Sequence, residues 1–95
     1  MKCKSECTAE VLKAIAHPTR LRILCTLKLQ ELQVQTLMER THTTQSNISQ
    51  HLALLKERQI LVTRRDANRI FYRIRDPKLV ELILLMRDIY CNQAA

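Results

Sequence analysis

Thr44-Gln45-Ser46-Asn47-Ile48-Ser49-Gln50-His51-Leu52-Ala53-Leu54-Leu55-Lys56 decides how this chain of 95 residues is read. Thr44 suits a helix N-cap, because its hydroxyl can accept one of the first-turn amides that a helix leaves unpaired. With Ile48 at the centre of a buried stripe, steps of 100° carry Leu55, Leu52 and His51 inward and Ser46, Ser49, Gln50 and Ala53 outward. The outer side is small, uncharged and rich in hydrogen-bonding groups. Taken alone, that pattern also describes the polar start of an ordinary solvated helix.

Upstream, Val34, Leu37, Met38 and Thr41 recur at i, i+3, i+4 and i+7 and predict a preceding helix, broken at Thr41-His42-Thr43-Thr44. A first helix is expected from Thr8 as N-cap, with Val11, Leu12, Ile15 and Ala16 on one stripe, behind a flexible tail of residues 1–7. His17-Pro18 ends it and opens a second helix, on which Leu21, Leu24, Cys25 and Lys28 share a face beside Ile23 and Leu27. After Gln59 the period becomes alternating. Ile60-Leu61-Val62-Thr63 and Ile70-Phe71-Tyr72-Arg73-Ile74 predict a β-hairpin around Asp66-Ala67-Asn68, with Asn68 the candidate for a positive φ. Asp76-Pro77 caps and opens a last helix reaching about Cys91. Its apolar residues from Leu79 to Tyr90 cover more than one stripe, so it needs a second apolar neighbour, expected to be another copy of the chain.

This order predicts a mainly α fold of five helices with one β-hairpin. It is a single winged helix-turn-helix domain over residues 1–95, dimerising through its first and last helices. The length leaves no room for a second core. Glycine is absent and only three aromatic residues occur, which removes glycine-rich phosphate loops and aromatic stacking platforms. No metalloprotease motif or nucleophile elbow is present, so no enzyme and no cofactor are expected. No apolar run is long enough for a membrane span, and the start lacks a secretion signal, so a cytoplasmic protein is expected.

The formal net charge of +7 calls for an anionic partner, whether nucleic acid, acidic lipid or acidic protein. Most of that charge lies in residues 55–75, where seven cations face two acids for a net +5. In a winged helix that segment straddles the phosphates beside the groove entered by the second helix of the motif. Thr44, Gln45, Ser46, Asn47, Ser49 and Gln50 are therefore the candidates for base and groove contacts. Lys56, Arg64, Arg65 and Arg69 are the candidates for phosphates. The competing reading is a winged helix that binds protein or acidic membrane without sequence preference.

Three separated segments, Lys13 to Leu24, Thr44 to Lys56 and Arg69 to Ile74, resemble the ArsR/SmtB family of bacterial repressors in order and sequence, over nearly the whole chain. The resemblance implies a dimeric repressor that binds an inverted repeat in double-stranded operator DNA and leaves it when an inducer is sensed. The chain departs from the pattern at Glu57-Arg58-Gln59-Ile60, where relatives often carry a glycine.

The arsenic and cadmium sensors of that family carry cysteines where this chain has Gln33 and Gln35, and amides are poor ligands for soft metals. At the zinc-sensor positions it reads Asp76, Lys78, Ile89 and Asn92. Cys3 and Cys7 remain as an alternative metal pair, with His17 or His42 as possible co-ligands, or as ordinary thiols. Cys25 and Cys91 would be small core residues on spacing alone. In position and local sequence they are similar to the dithiol of the sulfide- and persulfide-responsive branch, which implies a thiol switch with reactive sulfur species as inducer.

Overall fold

Pro18 has no amide hydrogen to give a helix interior, but it fits the first position of a new helix. In the computed structural model, which describes residues 4–90, the chain ends α1 (Lys4–Ile15) just before it and begins α2 (Pro18–Leu27) on it. His17 is the cap: its backbone is extended and its Nδ1 accepts the Thr19 amide at 3.1 Å. α1 starts one turn earlier than Thr8, the expected cap. The Thr8 hydroxyl instead donates back to the Lys4 carbonyl at 2.8 Å, a mid-helix bond, so residues 4–7 are helical and not tail.

The remaining elements are β1 (Leu32–Gln33), α3 (Val34–Thr41), α4 (Gln45–Glu57), β2 (Leu61–Asp66), β3 (Arg69–Ile74) and α5 (Pro77–Tyr90). The hairpin gains a strand that the sequence did not announce. β1 pairs antiparallel with β3, giving the order β1-β3-β2. Two residues are too few to show an alternating period. Asp76 caps α5 as expected, its carboxylate accepting the Lys78 amide at 2.9 Å.

α2 runs through the middle of the molecule and packs against α1, α3, α4, α5 and β3. Ile23, Leu24 and Leu27 are its buried residues, whereas Leu21 and Lys28 are exposed and Cys25 is half-buried. The expected face of Leu21, Leu24, Cys25 and Lys28 is thus turned. The core is centred on Ile23, Leu24 and Leu27, and Leu21 and Cys25 look into a groove beside α5. α4 docks through Ile48, Leu52 and Leu55, each at most 2% exposed. At about 1.5–3 kcal/mol for a buried side chain of this size, the three fix which side of α4 faces out. Thr41, fully buried, is satisfied by bonds to the Leu37 carbonyl (2.6 Å) and the Thr43 hydroxyl (2.8 Å).

A chain without glycine must place other residues in the left-handed region. Lys28, His42, Gln59 and Ala67 take φ of 54° to 60°, His42 as the C-cap between α3 and α4. In the hairpin this conformation falls on Ala67, not on Asn68. Asp66 and Arg69 are paired, leaving a two-residue turn whose first position is the left-handed one. Gln59 stands between α4 and β2, where Arg75 Nε donates to its carbonyl at 2.9 Å.

Behind α4, His51 Nδ1 lies 3.3 Å from Arg20 Nη1, and its ring meets that of His17 with centroids 4.7 Å apart. Arg20 in turn donates to the Ala14 carbonyl. The end of α1, the start of α2 and the back of α4 are joined in this cluster. Partial burial, then the charges of His17 and Arg20, hold the His51 imidazole below its ordinary pKa of 6.5.

Two outcomes are expected. Gln59→Gly should raise stability by about 0.5–1 kcal/mol in urea unfolding at fixed protomer concentration, because relief of the left-handed cost outweighs the added chain entropy. Asn68→Gly should not. A histidine whose pKa is lowered by folding contributes stability that is complete above 6.5 and lost as pH falls through the depressed value. His51→Gln should therefore flatten the decline in stability between about pH 6.5 and 5, and an unchanged slope would exclude this cluster as its source.

Candidate nucleic-acid interface and thiol groove

Thr44 is extended (φ −76°, ψ 161°), and its hydroxyl accepts the Asn47 amide at 3.4 Å, so the expected cap is in place. Gln45, Ser46, Asn47, Ser49, Gln50, Ala53 and Lys56 are all exposed, and the first turn of α4 contains no acidic residue. The outer side of the helix thus combines amides, hydroxyls and the positive end of the helix dipole, with nothing in that turn to repel a phosphate.

β2 and β3 carry the wing. Arg65 and Arg69 are exposed near its tip, in register with Ile70 and Asp66 respectively. Arg64 is differently engaged. Its guanidinium grips the Glu31 carboxylate with Nε–Oε2 at 3.0 Å and Nη2–Oε1 at 2.9 Å, and it lies 4.7 Å over the Phe71 ring. This pairing holds the Glu31 carboxyl below its ordinary pKa and raises that of Arg64. Arg64 therefore ties the wing to the segment before β1, while Arg65, Arg69 and Lys56 are exposed with no ion pair among the described residues. The sequence hid this because Glu31 and Arg64 are 33 residues apart.

Cys25 lies on the wall of an apolar groove of about 450 Å³ between α2 and α5, with Pro18, Leu21, Ile83, Met86 and Tyr90. Cys91, the other member of the expected pair, lies outside the described residues, as does Cys3. Cys7 is exposed on α1. Among the described residues no cluster of three or more histidine, cysteine or acidic side chains is placed to hold a metal ion. No helix of the described residues is long and apolar enough to cross a membrane.

α1 and α5 leave a second apolar surface open. Leu12, Leu82, Leu85, Met86, Ile89 and Tyr90 are between 45% and 67% exposed, far more than leucine- and methionine-rich helices ordinarily leave to water.

The family model of bacterial regulatory proteins of the arsR family matches residues 17–61. A biofilm growth-associated repressor of Xylella fastidiosa (strain Temecula1) is 36% identical over 93 residues, 98% of this chain and 82% of that protein. Reduced HlyU from Vibrio cholerae superposes with a TM-score of 0.83 at 38% identity, over 92% of each chain. The homodimeric winged helix-turn-helix DNA-binding domain of Mb0332 from Mycobacterium bovis, described as a possible ArsR-family regulator, gives a TM-score of 0.80 at 30% identity, over 88% of this chain and 78% of that one. With a wing, an outward-facing polar helix and relatives this similar over most of their own length, the chain belongs to the arsR family: it is a winged helix-turn-helix, DNA-binding transcriptional regulator, and not an enzyme.

Proposed function

We propose that the chain acts in the cytoplasm as a homodimeric repressor, presenting α4 of each protomer to successive major grooves of an inverted-repeat operator. Modification of Cys25 and Cys91 by reactive sulfur species then lowers its affinity for that DNA. The observation that carries the first part is the outer side of α4, exposed and without an acidic residue in its first turn, held by three buried side chains, with Arg65 and Arg69 exposed on the wing. Gln45, Asn47 and Gln50 have the amide geometry to pair with adenine edges, and Thr44, Ser46 and Ser49 can bond phosphates or bases. The dimer reading is supported by the open apolar face of α1 and α5 and by a homodimeric relative. Repression follows the Xylella relative.

The switch reading is supported by the position of Cys25. It is half-buried beside α5, and Tyr90, the residue before Cys91, lines the same groove. A relative described in a reduced form points in the same direction. A metal-responsive regulator using Cys3 and Cys7 is the lesser reading, since Cys7 is exposed on α1 with Gln33 and Gln35 as the remaining candidates of that site.

On operator DNA, a footprint should show two protected half-sites about 34 Å apart, with affinity falling by about 10³–10⁵ from 50 to 200 mM salt. Arg65→Ala and Arg69→Ala should weaken all sequences alike, each reducing the salt slope by about 1, whereas Ser49→Ala and Gln50→Ala should change base preference. Uniform effects from all four would remove the assigned division of labour. After exposure to glutathione persulfide, Cys91→Ser and Cys25→Ser should stay bound at concentrations that release the native protein by about 5- to 150-fold in Kd. Normal release of both would show that the pair is not the sensor.

A further inference from the structure

In the strand order β1-β3-β2 the two edge strands do not bond each other, and both meet β3 at one residue. Phe71 is in register with Gln33 on one side and with Arg64 on the other. The Arg64 guanidinium lies 4.7 Å over the Phe71 ring and closes on the carboxylate of Glu31, which directly precedes β1, with contacts of 2.9, 3.0 and 3.2 Å. A side chain from one edge of the sheet is thus clasped to the chain entering the other edge. At one end of the clasp is the hairpin, with Arg65 next to Arg64 and Arg69 across the turn. At the other end β1 runs straight into α3 at Val34, and α3 is joined to α4 by the short turn at His42. Asp66 acts on Arg64, and Arg73 on Glu31, by charge alone.

A planar guanidinium forked onto a carboxylate and stacked on an aromatic ring has little freedom left. The side chains of Arg64 and Glu31 are nevertheless 50% and 32% exposed, and ion pairs this wet add little to folding stability. The pair is suited to hold a geometry more than to hold the fold together. We infer that Glu31 and Arg64 are positioning residues for sequence recognition: their clasp over Phe71 fixes the angle between the wing and the helix pair α3–α4, so that Arg65 and Arg69 meet phosphates while α4 is in register with its bases. The inference rests on the reading of α4 and the wing as the surface that meets DNA, and it adds that a carboxylate, which a polyanion repels, strengthens specific binding. Phosphate contacts set the register and orientation of a protein on its duplex. A wing released from the clasp keeps its charges and still binds any duplex, but its match to α4 on the correct sequence is lost. Arg64, its fork occupied, is then not a phosphate ligand.

The test uses the full-length protein, a duplex of about 30 base pairs that the native protein selects from a random library, long enough for two half-sites, and a scrambled duplex of the same composition. Glu31→Gln removes a negative charge, so charge alone predicts tighter binding to both duplexes. The clasp predicts the opposite sign on the selected duplex, about 5- to 10-fold weaker binding, with no loss on the scrambled one. Arg64→Lys keeps the charge but gives up the fork and the stack, and the ratio of the two affinities should fall by a similar factor. Glu31→Gln with Arg64→Gln should lower that ratio no further than Glu31→Gln alone, because each residue acts through the other. Tighter binding of Glu31→Gln to both duplexes would make Arg64 a phosphate ligand restrained by its carboxylate and would overturn the clasp, as would a native ratio in Arg64→Lys. Urea midpoints should move little, and a fall that tracks the loss of affinity across the variants would assign the pair to stability instead. Native protein that selects no sequence would remove the recognition reading on which the clasp rests, an outcome distinct from loss of the clasp alone.

Discussion

The packing of α4 onto α2 is the constraint on which the rest of the structure depends. Ile48, Leu52 and Leu55 enter a core whose centre is Ile23, Leu24 and Leu27, and all six are 2% exposed or less. An α-helix has one azimuth left once three such residues are buried, so the side chains at Ser46, Ser49 and Gln50 must face out. No separate device aims them. The Thr44 cap sets where the helix starts, and the His17–Arg20–His51 cluster closes the back of α4 against the junction of α1 and α2. The wing is likewise aimed from below. Arg64 is drawn to Glu31 and Phe71, which leaves Arg65 and Arg69 as exposed cations without an ion pair among the described residues, near the tip of the hairpin whose β3 also pairs with β1.

What could be read in the sequence was whatever depends on near neighbours. The stripe of α4, the cap at Thr44, the break at His17-Pro18 and the cap at Asp76 all rest on residues within one or two turns of each other, and each is found where expected. Errors arose where a distant partner decides. β1 exists only because Leu32 and Gln33 meet Tyr72 and Phe71, and Arg64 is occupied only because Glu31 is brought across the fold. The buried face of α2 differs from the expected one because a helix surrounded on several sides shows no single stripe. Thr8 looked like a cap because threonine serves equally well for a bond to the carbonyl four residues back. The left-handed residue in the hairpin went to Ala67 since register, not side-chain preference, fixes the position of a two-residue turn.

The absence of glycine has a further consequence. Four non-glycine residues in the left-handed region each carry a cost of about 1–2 kcal/mol, and three of them, Lys28, His42 and Gln59, stand directly at the ends of α2, α3 and α4. The cost is offset by core burial on both sides of each joint. Such joints are less free than glycine joints, because few other conformations are open to a branched or long side chain there. The short connections of the reading head are therefore stiff, and displacement of α4 is expected to come from movement of the elements it rests on and not from bending at its ends.

That stiffness bears on how a thiol on α2 can act at a distance. Cys25 is adjacent in sequence to Leu24, a residue of the core that α4 enters, and it lines the groove formed with α5. α2 is thus shared between the DNA-reading helix and the helix whose exposed apolar side is the proposed dimer interface. On that proposal, adding sulfur to Cys25 need not touch α4. It has only to favour a position of α2 against α5 in which the two copies of α4 no longer match successive grooves. Because a packed core resists gradual deformation, a shift at α2 is passed to whatever rests on it. A difference of about 1–3 kcal/mol between the two positions is enough to lower affinity by 5- to 150-fold. Losing part of one buried side chain's packing already reaches that size, so the switch requires no large rearrangement, only a helix that cannot satisfy the groove beside α5 and the seat beneath α4 at once.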